Sequence, residues 1–565
     1  MVRTKCRDCE NCDAIHTAVL NDSISQCPPG IQKCAQCRNV DRLTSEVEET
    51  IERLEKLLKD LRQAKTDMNR SHDMISRTLP PEILQSIFEL YALDPALPQD
   101  GCDTFDERYR RKKMARPVVL SQVCSNWRQV ALATPRIWTT VVVTWDVEFW
   151  GAEEEIDRLR EWISRTRGFP LDIYMDTTSW RRRSADDDDP PFDSLDSSFC
   201  PFLQAIASTS AQWRYLTARA PYCALEYLGQ HVQHLDLEGL NISRVWSSGR
   251  KITPHPFWTH CQPAPKSVEL IDCLPNKVNI QWNAVTTIKV TEIYTEQCLS
   301  LLSSTPNLTT CIFEKIRPED REELSWHINR PVVKHEKIQK FTYSSSFFYS
   351  CPFIFYRLEL PNLRSFTCKA RDLSEIRGHD IFFSSVSNLN VLSVRDISCN
   401  YDTLHTILSK APGTVTDLIL SCRYHAHSEF AILRLFSETA VIDSNGTPNA
   451  GTDVLILPNL NMLEIRTKTE KFPWKLVLKC FGVTPRRRPL SRLRVIDRSD
   501  TMSGFFEKDG GVLIPPDVLK ELMALQRYDG VEIVFRHKSG YDLLARSIVD
   551  AGLEQDRASD YSPDQ

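Results

Sequence analysis

The sequence predicts an α/β chain: a helical N-terminal part followed by a long body in which short helices alternate with strands. Three observations predict it. Val40, Val47, Leu54, Leu61 and Met68 recur every seven residues through a stretch almost free of proline, glycine and aromatics. Two dense apolar patterns of helical period follow, at 79–91 and 118–138. From about 200 to 540 a unit of apolar, two free, apolar, one free, apolar recurs behind short amphipathic segments.

Residues 1–39 form a polar, cysteine-rich segment. Six of the 19 cysteines lie there: Cys6, Cys9, Cys12, Cys27, Cys34 and Cys37. A CxxC pair lets two thiolates bite a tetrahedral zinc from a tight turn, and Cys9 with Cys12 against Cys34 with Cys37 supplies two such pairs. Those four are the candidate ligands of a structural zinc, with His16 and the two remaining cysteines as competitors. Free or redox-active thiols are the other reading. No other cofactor is expected.

Residues 40–76 are expected to form one coiled-coil helix. Leu43, Leu57 and Ala64 stand three places after members of the seven-residue series and fill most d positions of a heptad seam, while Thr50 and Ser71 weaken it. Ile51 and Leu58 widen the stripe to one side, so the helix is suited either to self-association or to lying on another helix.

Residues 77–140 form a compact helical module. In LPPEILQSIFELY, Pro80 and Pro81 stand at a helix start, where a missing N–H costs nothing. Ile83, Leu84, Ile87, Phe88 and Tyr91 then make one wide apolar face. In VVLSQVCSNWRQVALATPRIW, Leu120, Val123, Cys124, Trp127 and Val130 line a second face, Thr134 and Pro135 end the helix, and Ile137 and Trp138 add an aromatic anchor. Residues 92–117 separate the two blocks as an insertion, expected as a surface loop carrying six basic residues between Arg108 and Arg116.

The pattern L-P-x-E-I-x-x-x-I-F, then L-x-x-V-C-x-x-W-R-x-x-A, then T-P-x-x-W, resembles the F-box, and most closely the form abundant in mushroom-forming fungi. The residues that carry the resemblance are Leu79, Pro80, Glu82, Ile83, Ile87, Phe88, Leu120, Val123, Cys124, Trp127, Arg128, Pro135 and Trp138. The insertion is longer than the link usual in the family. F-box proteins are adaptors of cullin-based ubiquitin ligases, so the resemblance implies that Leu79, Pro80, Ile83, Leu84, Ile87, Phe88, Leu120 and Val123 lie against a Skp-type adaptor. It implies that Cys124, Trp127 and Trp138 serve the packing of the F-box itself. A plain helical hairpin joining the coiled coil to the body is the competing reading.

Residues 141–200 are expected as a connector holding the charged loop SWRRRSADDDDPPFDSLDSS, and 201–551 as the recognition domain, with a disordered tail at 552–565. Recognition units are expected to start at Trp213, Val232, Val268, Val285, Leu308, Ile338, Leu363, Leu389, Val415, Leu460 and Leu493. Pro-Asn-Leu opens the unit at Pro306, Pro361 and Pro458, and the starts from 338 to 415 are spaced by 25, 26 and 26 residues. This alternation resembles an irregular leucine-rich repeat, most of whose units lack the family's polar residue at the inner turn. The resemblance implies a distorted α/β solenoid with a concave face that binds a protein partner. An ordinary α/β domain sharing the apolar rhythm is the alternative.

Composition narrows the function further. The formal net charge is −5, so no global field draws the chain to nucleic acid or an anionic membrane, and 18 glycines are a poor supply for phosphate-cradling loops. HExxH, GxSxG, GxxxxGK[ST] and a post-strand GxGxxG are all absent from the sequence, and His425 and His427 read as solvent-facing. The chain is therefore not expected to be an enzyme. No apolar run is long enough to span a membrane, and the start lacks a secretory signal, which predicts a reducing cytoplasmic or nuclear setting. The expected function is the substrate-recognition subunit of an SCF-type ligase, with a Skp-type adaptor, a cullin core and a protein substrate as partners. A non-ligase scaffold using the coiled coil and cysteine segment is the alternative.

Overall fold

The computed structural model describes residues 35–72, 78–93, 107–144, 153–176, 200–220, 222–244, 258, 260–317, 331–345, 353–369, 378–397, 401–422, 426–438, 456–467, 472–481, 489–498 and 514–553. Its contacts define two compact units, one within 1–97 and 115–134, the other within 98–114 and 135–565. The fold is mixed α/β with one large parallel sheet.

The first unit contains helices α1 (Ala35–His72), α2 (Pro81–Leu93) and α4 (Ser125–Ala133), and α3 (Glu107–Val123) enters it at its C-terminal part. The insertion expected as a loop is thus helical from Glu107 onward, and Pro117 sits inside that helix. A proline within the helix removes one backbone donor, which is why the sequence pattern breaks there.

The second unit is built on 14 parallel strands arranged in chain order. They are Thr140–Thr144, Leu171–Asp176, Trp213–Ala220, Gly239–Arg244, Ser267–Ile271, Thr287–Thr291, Thr310–Ile316, Lys340–Ser345, Ser365–Lys369, Val391–Ile397, Asp417–Cys422, Met462–Thr467, Arg492–Asp497 and Glu532–His537. Every neighbour in this sheet is the next of the fourteen in sequence, two short strands, Val333–Lys334 and Leu358–Glu359, pairing apart from it, so each connection must carry the chain up one side and deliver it beside the strand it has just left. Longer connections do this with helices such as Thr295–Ser304 and Tyr401–Lys410, and the shortest with 3₁₀ turns at Pro275–Lys277 and Trp282–Ala284.

Register explains the core. One row of paired residues runs Val141, Ile173, Leu216, Leu240, Val268, Ile288, Cys311, Phe341, Phe366, Leu392, Leu418, Leu463, Leu493 and Ile533. All of these are buried. Two residues along each strand a second buried row runs from Val143 to Phe535. Because side chains alternate faces along a strand, the residue between the two rows points the other way. Between Val142 and Val534 at its ends that row is largely polar: Tyr174, Thr217, Asn241, Glu269, Lys289, Ile312, Thr342, Thr367, Ser393, Ile419, Glu464 and Arg494. In the middle of the sheet the apolar face is aromatic, with Phe382 5.2 Å from Phe366 and 5.1 Å from Phe355 between ring centroids.

Three expectations need correction. Within the expected connector 141–200, residues 141–144 and 171–176 belong to the first two strands, because Thr140-Val-Val-Val-Thr144 pairs in register with Leu171–Asp176. The unit expected at Val232 begins instead at Leu237, which with Leu240 and Ile242 is buried, while Val232 closes the helix Tyr222–His231. The units placed at Val268 and Leu493 begin three residues earlier: Pro265 is buried ahead of Val268 and Leu270, and Leu490 ahead of Leu493 and Val495. Starts at Trp213, Val285, Leu308, Ile338, Leu363, Leu389, Val415 and Leu460 coincide with buried first positions.

Candidate functional site

In the helical unit, the stretch from Leu79 to Leu93 divides into two faces. Pro80 accepts from Ile83 and Leu84 N–H at 3.1 Å each, so α2 starts at the proline pair. Leu84, Phe88 and Ala92 fall four apart on one stripe and are 1%, 0% and 3% exposed. Ile83, Ile87 and Leu90 fall on another and are 49%, 42% and 75% exposed. On α3, Leu120 is buried, whereas Val119 and Val123, one turn apart, are open. Leu79 is half-buried and Pro80 exposed.

The eight residues assigned to a partner surface therefore separate. Leu84, Phe88 and Leu120 hold the unit's own interior and are corrected to packing residues; a sequence face five residues wide wraps past the edge of the core, which periodicity cannot see. Ile83, Ile87, Val123, Pro80 and part of Leu79 are available on the surface, and Leu90 and Val119 join them.

The packing residues also divide. Cys124 has extended backbone (φ −156°, ψ 173°) and caps α4, its Sγ accepting from Trp127 N–H at 3.4 Å. Trp127 is half-buried, with its ring 5.0 Å from that of Phe88. Arg116 donates to the Tyr91 carbonyl at 2.7 Å, satisfying an acceptor at the end of α2, and its guanidinium lies 5.3 Å from the Tyr91 ring centre. Trp138, expected to pack the F-box, belongs to the second unit. It meets Trp162 edge-on at 4.8 Å, accepts from Trp162 Nε1 at 2.9 Å, and has Arg165 over its ring.

In the second unit the polar face of the sheet is the other candidate surface. Lys289 bridges Glu269 at 2.9 Å and Glu314 at 3.9 Å across three adjacent strands. Arg214 grips both oxygens of Asp172 at 2.9 Å. Farther along, Arg494 meets Glu532 at 3.1 Å and Arg492 lies 3.6 Å from Asp417. These paired charges lie on a half-buried surface, suited to orienting a polar macromolecular ligand. At the strand N-terminal edge, an open cleft of about 540 Å³ is lined by Gln339, Asn362, Arg364, Asn388 and Asn390 among others.

The Pro-Asn-Leu triplets have a structural explanation there. Asn307 donates to the Asn283 carbonyl at 2.7 Å, Asn362 to Glu336 at 2.8 Å and Asn459 to Gly413 at 2.8 Å. Each asparagine clips its turn to the preceding one, and the leucine after it is fully buried. In these three units a polar side chain therefore satisfies backbone before the strand rather than after it.

Chemistry of other kinds finds less support. Among the described residues no group of three or more His, Cys, Asp or Glu is arranged to hold a metal. Cys9, Cys12, Cys34 and His16, and the side chain of Cys37, lie outside the described residues, as do His425 and the side chain of His427. Ser539, His537 and Asp497 come together, Ser539 Oγ lying 2.7 Å from His537 Nδ1. The same Nδ1 accepts the Ser539 backbone N–H at 3.2 Å, which makes this contact a turn between neighbours rather than a base aimed at a nucleophile. No described helix is long and apolar enough to cross a membrane.

No protein-family model matches this chain, and no curated protein sequence matches it.

Proposed function

We propose that this chain is the substrate-receptor subunit of an SCF-type ubiquitin ligase. Its F-box-like helical unit holds a Skp-type adaptor attached to a cullin, and its body, an irregular leucine-rich-repeat-like solenoid, selects a protein substrate through the polar face of the sheet. The observation that carries this reading is the division of residues 79–123. Leu84, Phe88 and Leu120 complete a small core, while Ile83, Ile87, Leu90, Val119 and Val123 remain uncovered on the same helices. A unit of this size that leaves so many aliphatic side chains in water is suited to burying them against a partner.

The receptor works by proximity. It holds a substrate near a charged ubiquitin carrier and so raises the local concentration of the acceptor lysine, with no covalent step of its own. The test is co-purification from cells expressing the tagged full chain. The intact chain is expected to bring down a Skp-type adaptor and a cullin, and I83A/I87A to lose both while retaining the far-ultraviolet spectrum of the parent. Replacement of Leu79, Pro80 and Ile83 by alanine is expected to do the same. Absence of both proteins from the intact chain's eluate would end the ligase reading, and undiminished recovery with I83A/I87A would end the surface assignment.

A further inference from the structure

Helix α1 is 38 residues long, a rod of about 57 Å at 1.5 Å per residue. Its seam is open along its length: Val40, Leu43, Val47, Ile51, Leu54, Leu57, Leu58, Leu61 and Met68 are between 46% and 59% exposed. That is the exposure of a bare helix, whose own backbone shields about half of each side chain. Helices in proteins draw most of their stability from packing an amphipathic face, and ion pairs on α1 such as Arg42 with Glu46 at 2.7 Å and Arg53 with Glu49 at 3.2 Å are exposed and weak.

We propose that α1 pairs with α1 of a second copy of this chain as an antiparallel two-stranded coiled coil. The choice of partner and direction follows from the side chains beside the seam. With Val40, Val47, Leu54, Leu61 and Met68 at a, the g positions are Glu46, Arg53, Asp60 and Asp67, and the e positions are Thr44, Ile51, Leu58 and Lys65. In a parallel pair g faces e of the other helix. Ile51 and Leu58 would then be opposed by Glu46 and Arg53, and the one attractive contact within the seam's span would be Asp60 with Lys65. In an antiparallel pair e faces e and g faces g.

Centring the antiparallel pair between Leu54 and Leu57 sets Leu54 on Leu57 of the second copy, Leu43 on Met68, Val47 on Ala64 and Thr50 on Leu61. Each layer thus carries at least one branched or long aliphatic side chain, and the weak d residues Thr50 and Ala64 are matched to larger partners. Ile51 then lies on Leu58, which gives the widened stripe a use. Arg53 lies opposite Asp60 and Glu46 opposite Asp67, each twice by symmetry, so the flanking charges balance and the seam and the Ile51–Leu58 contact decide the direction. The two His72 ends would stand about 50 Å apart. The proposal stands independently of the ligase reading.

Sedimentation equilibrium of the purified full chain tests it. The chain is expected to be a dimer of twice 65.0 kDa at micromolar concentration, and L54D/L61D a monomer with an unchanged sheet signal. R53D is expected to weaken the dimer about ten-fold by turning two attractive contacts into repulsive ones, and D60R likewise. The double variant R53D/D60R is expected to restore it, and mixing the two single variants to produce a heterodimer stronger than either homodimer. In a parallel pair D60R would set a second positive charge against Lys65, so restoration would fail. A monomeric parent, or a dimer that L54D/L61D leaves intact, overturns the pairing; a weak R53D/D60R overturns its direction.

Discussion

The ring of Trp127 lies 5.0 Å from that of Phe88, tilted by 53°, and this contact ties α4 to α2. Such a pair contributes beyond its buried area because the tilt brings the positive edge of one ring toward the negative face of the other. Phe88→Ala is expected to cost about 3–5 kcal/mol, enough to open the helical unit, whereas Ile87→Ala, which removes an exposed side chain, is expected to cost within about 0.5 kcal/mol. Hydrogen exchange resolved by mass spectrometry checks both. Protection in 81–93 and 125–133 should fall in F88A and persist in I87A, while the sheet peptides hold in both. Loss of protection in I87A would return that residue to the core.

The asparagine clips predict a second series. Asn362 Nδ2 reaches the Glu336 carbonyl from an exposed position, so water takes over when it is removed. Asn362→Ala is therefore expected to cost only about 1 kcal/mol, whereas Asn362→Asp opposes a carboxylate to a carbonyl and is expected to cost more. Urea midpoints of the full chain read by far-ultraviolet dichroism order the three proteins. An aspartate variant as stable as the parent would show that the clip is not an amide donor bond.

Trp138 is fully buried against Trp162 in the sheet-bearing unit. Trp138→Ala is expected to cost that unit about 3–5 kcal/mol and to expose the strands Thr140–Thr144 and Leu171–Asp176 to exchange first, leaving the 81–133 helices protected. Equal deprotection of those helices would put the tryptophan in the helical unit, where the sequence alone places it.

That misplacement illustrates what sequence can and cannot carry. The heptad of α1 is legible from its unbroken seven-residue period, and the strand units at Leu308, Leu363 and Leu460 because the Pro-Asn-Leu triplet and three apolar residues in the right order coincide there, with an amphipathic segment ahead of Leu308 as well. At Val268 the apolar template fits one residue set too late, since Pro265 fills the first position and is no obvious core residue. Thr140–Thr144 carries no such punctuation, so periodicity does not pick it out. In the helical unit, period alone gives Ile83, Leu84, Ile87 and Phe88 one common face. Which two turn inward depends on where α3 and α4 lie, and the pattern holds no information on that.

Cys311 is wholly buried in the sheet's apolar row between Ile288 and Phe341, and burial pushes its thiol well above the ordinary thiol range. The folded state therefore holds the neutral form while the unfolded chain ionises at about pH 8.5. With the folded value raised, the thiol's contribution to stability is complete below the unfolded value and is lost as pH rises toward the folded one. Stability measured at pH 7 and again at about pH 9.5 should thus fall further in the parent than in Cys311→Ala, which has no proton to lose. Native-state alkylation at about pH 8, mapped by mass spectrometry, should mark the partly exposed Cys223 within minutes, Cys261, whose thiol burial also raises, more slowly, and Cys311 only on unfolding. Rapid native labelling of Cys311 would mean that its strand opens locally, and the continuous buried row through this part of the sheet would have to be redrawn.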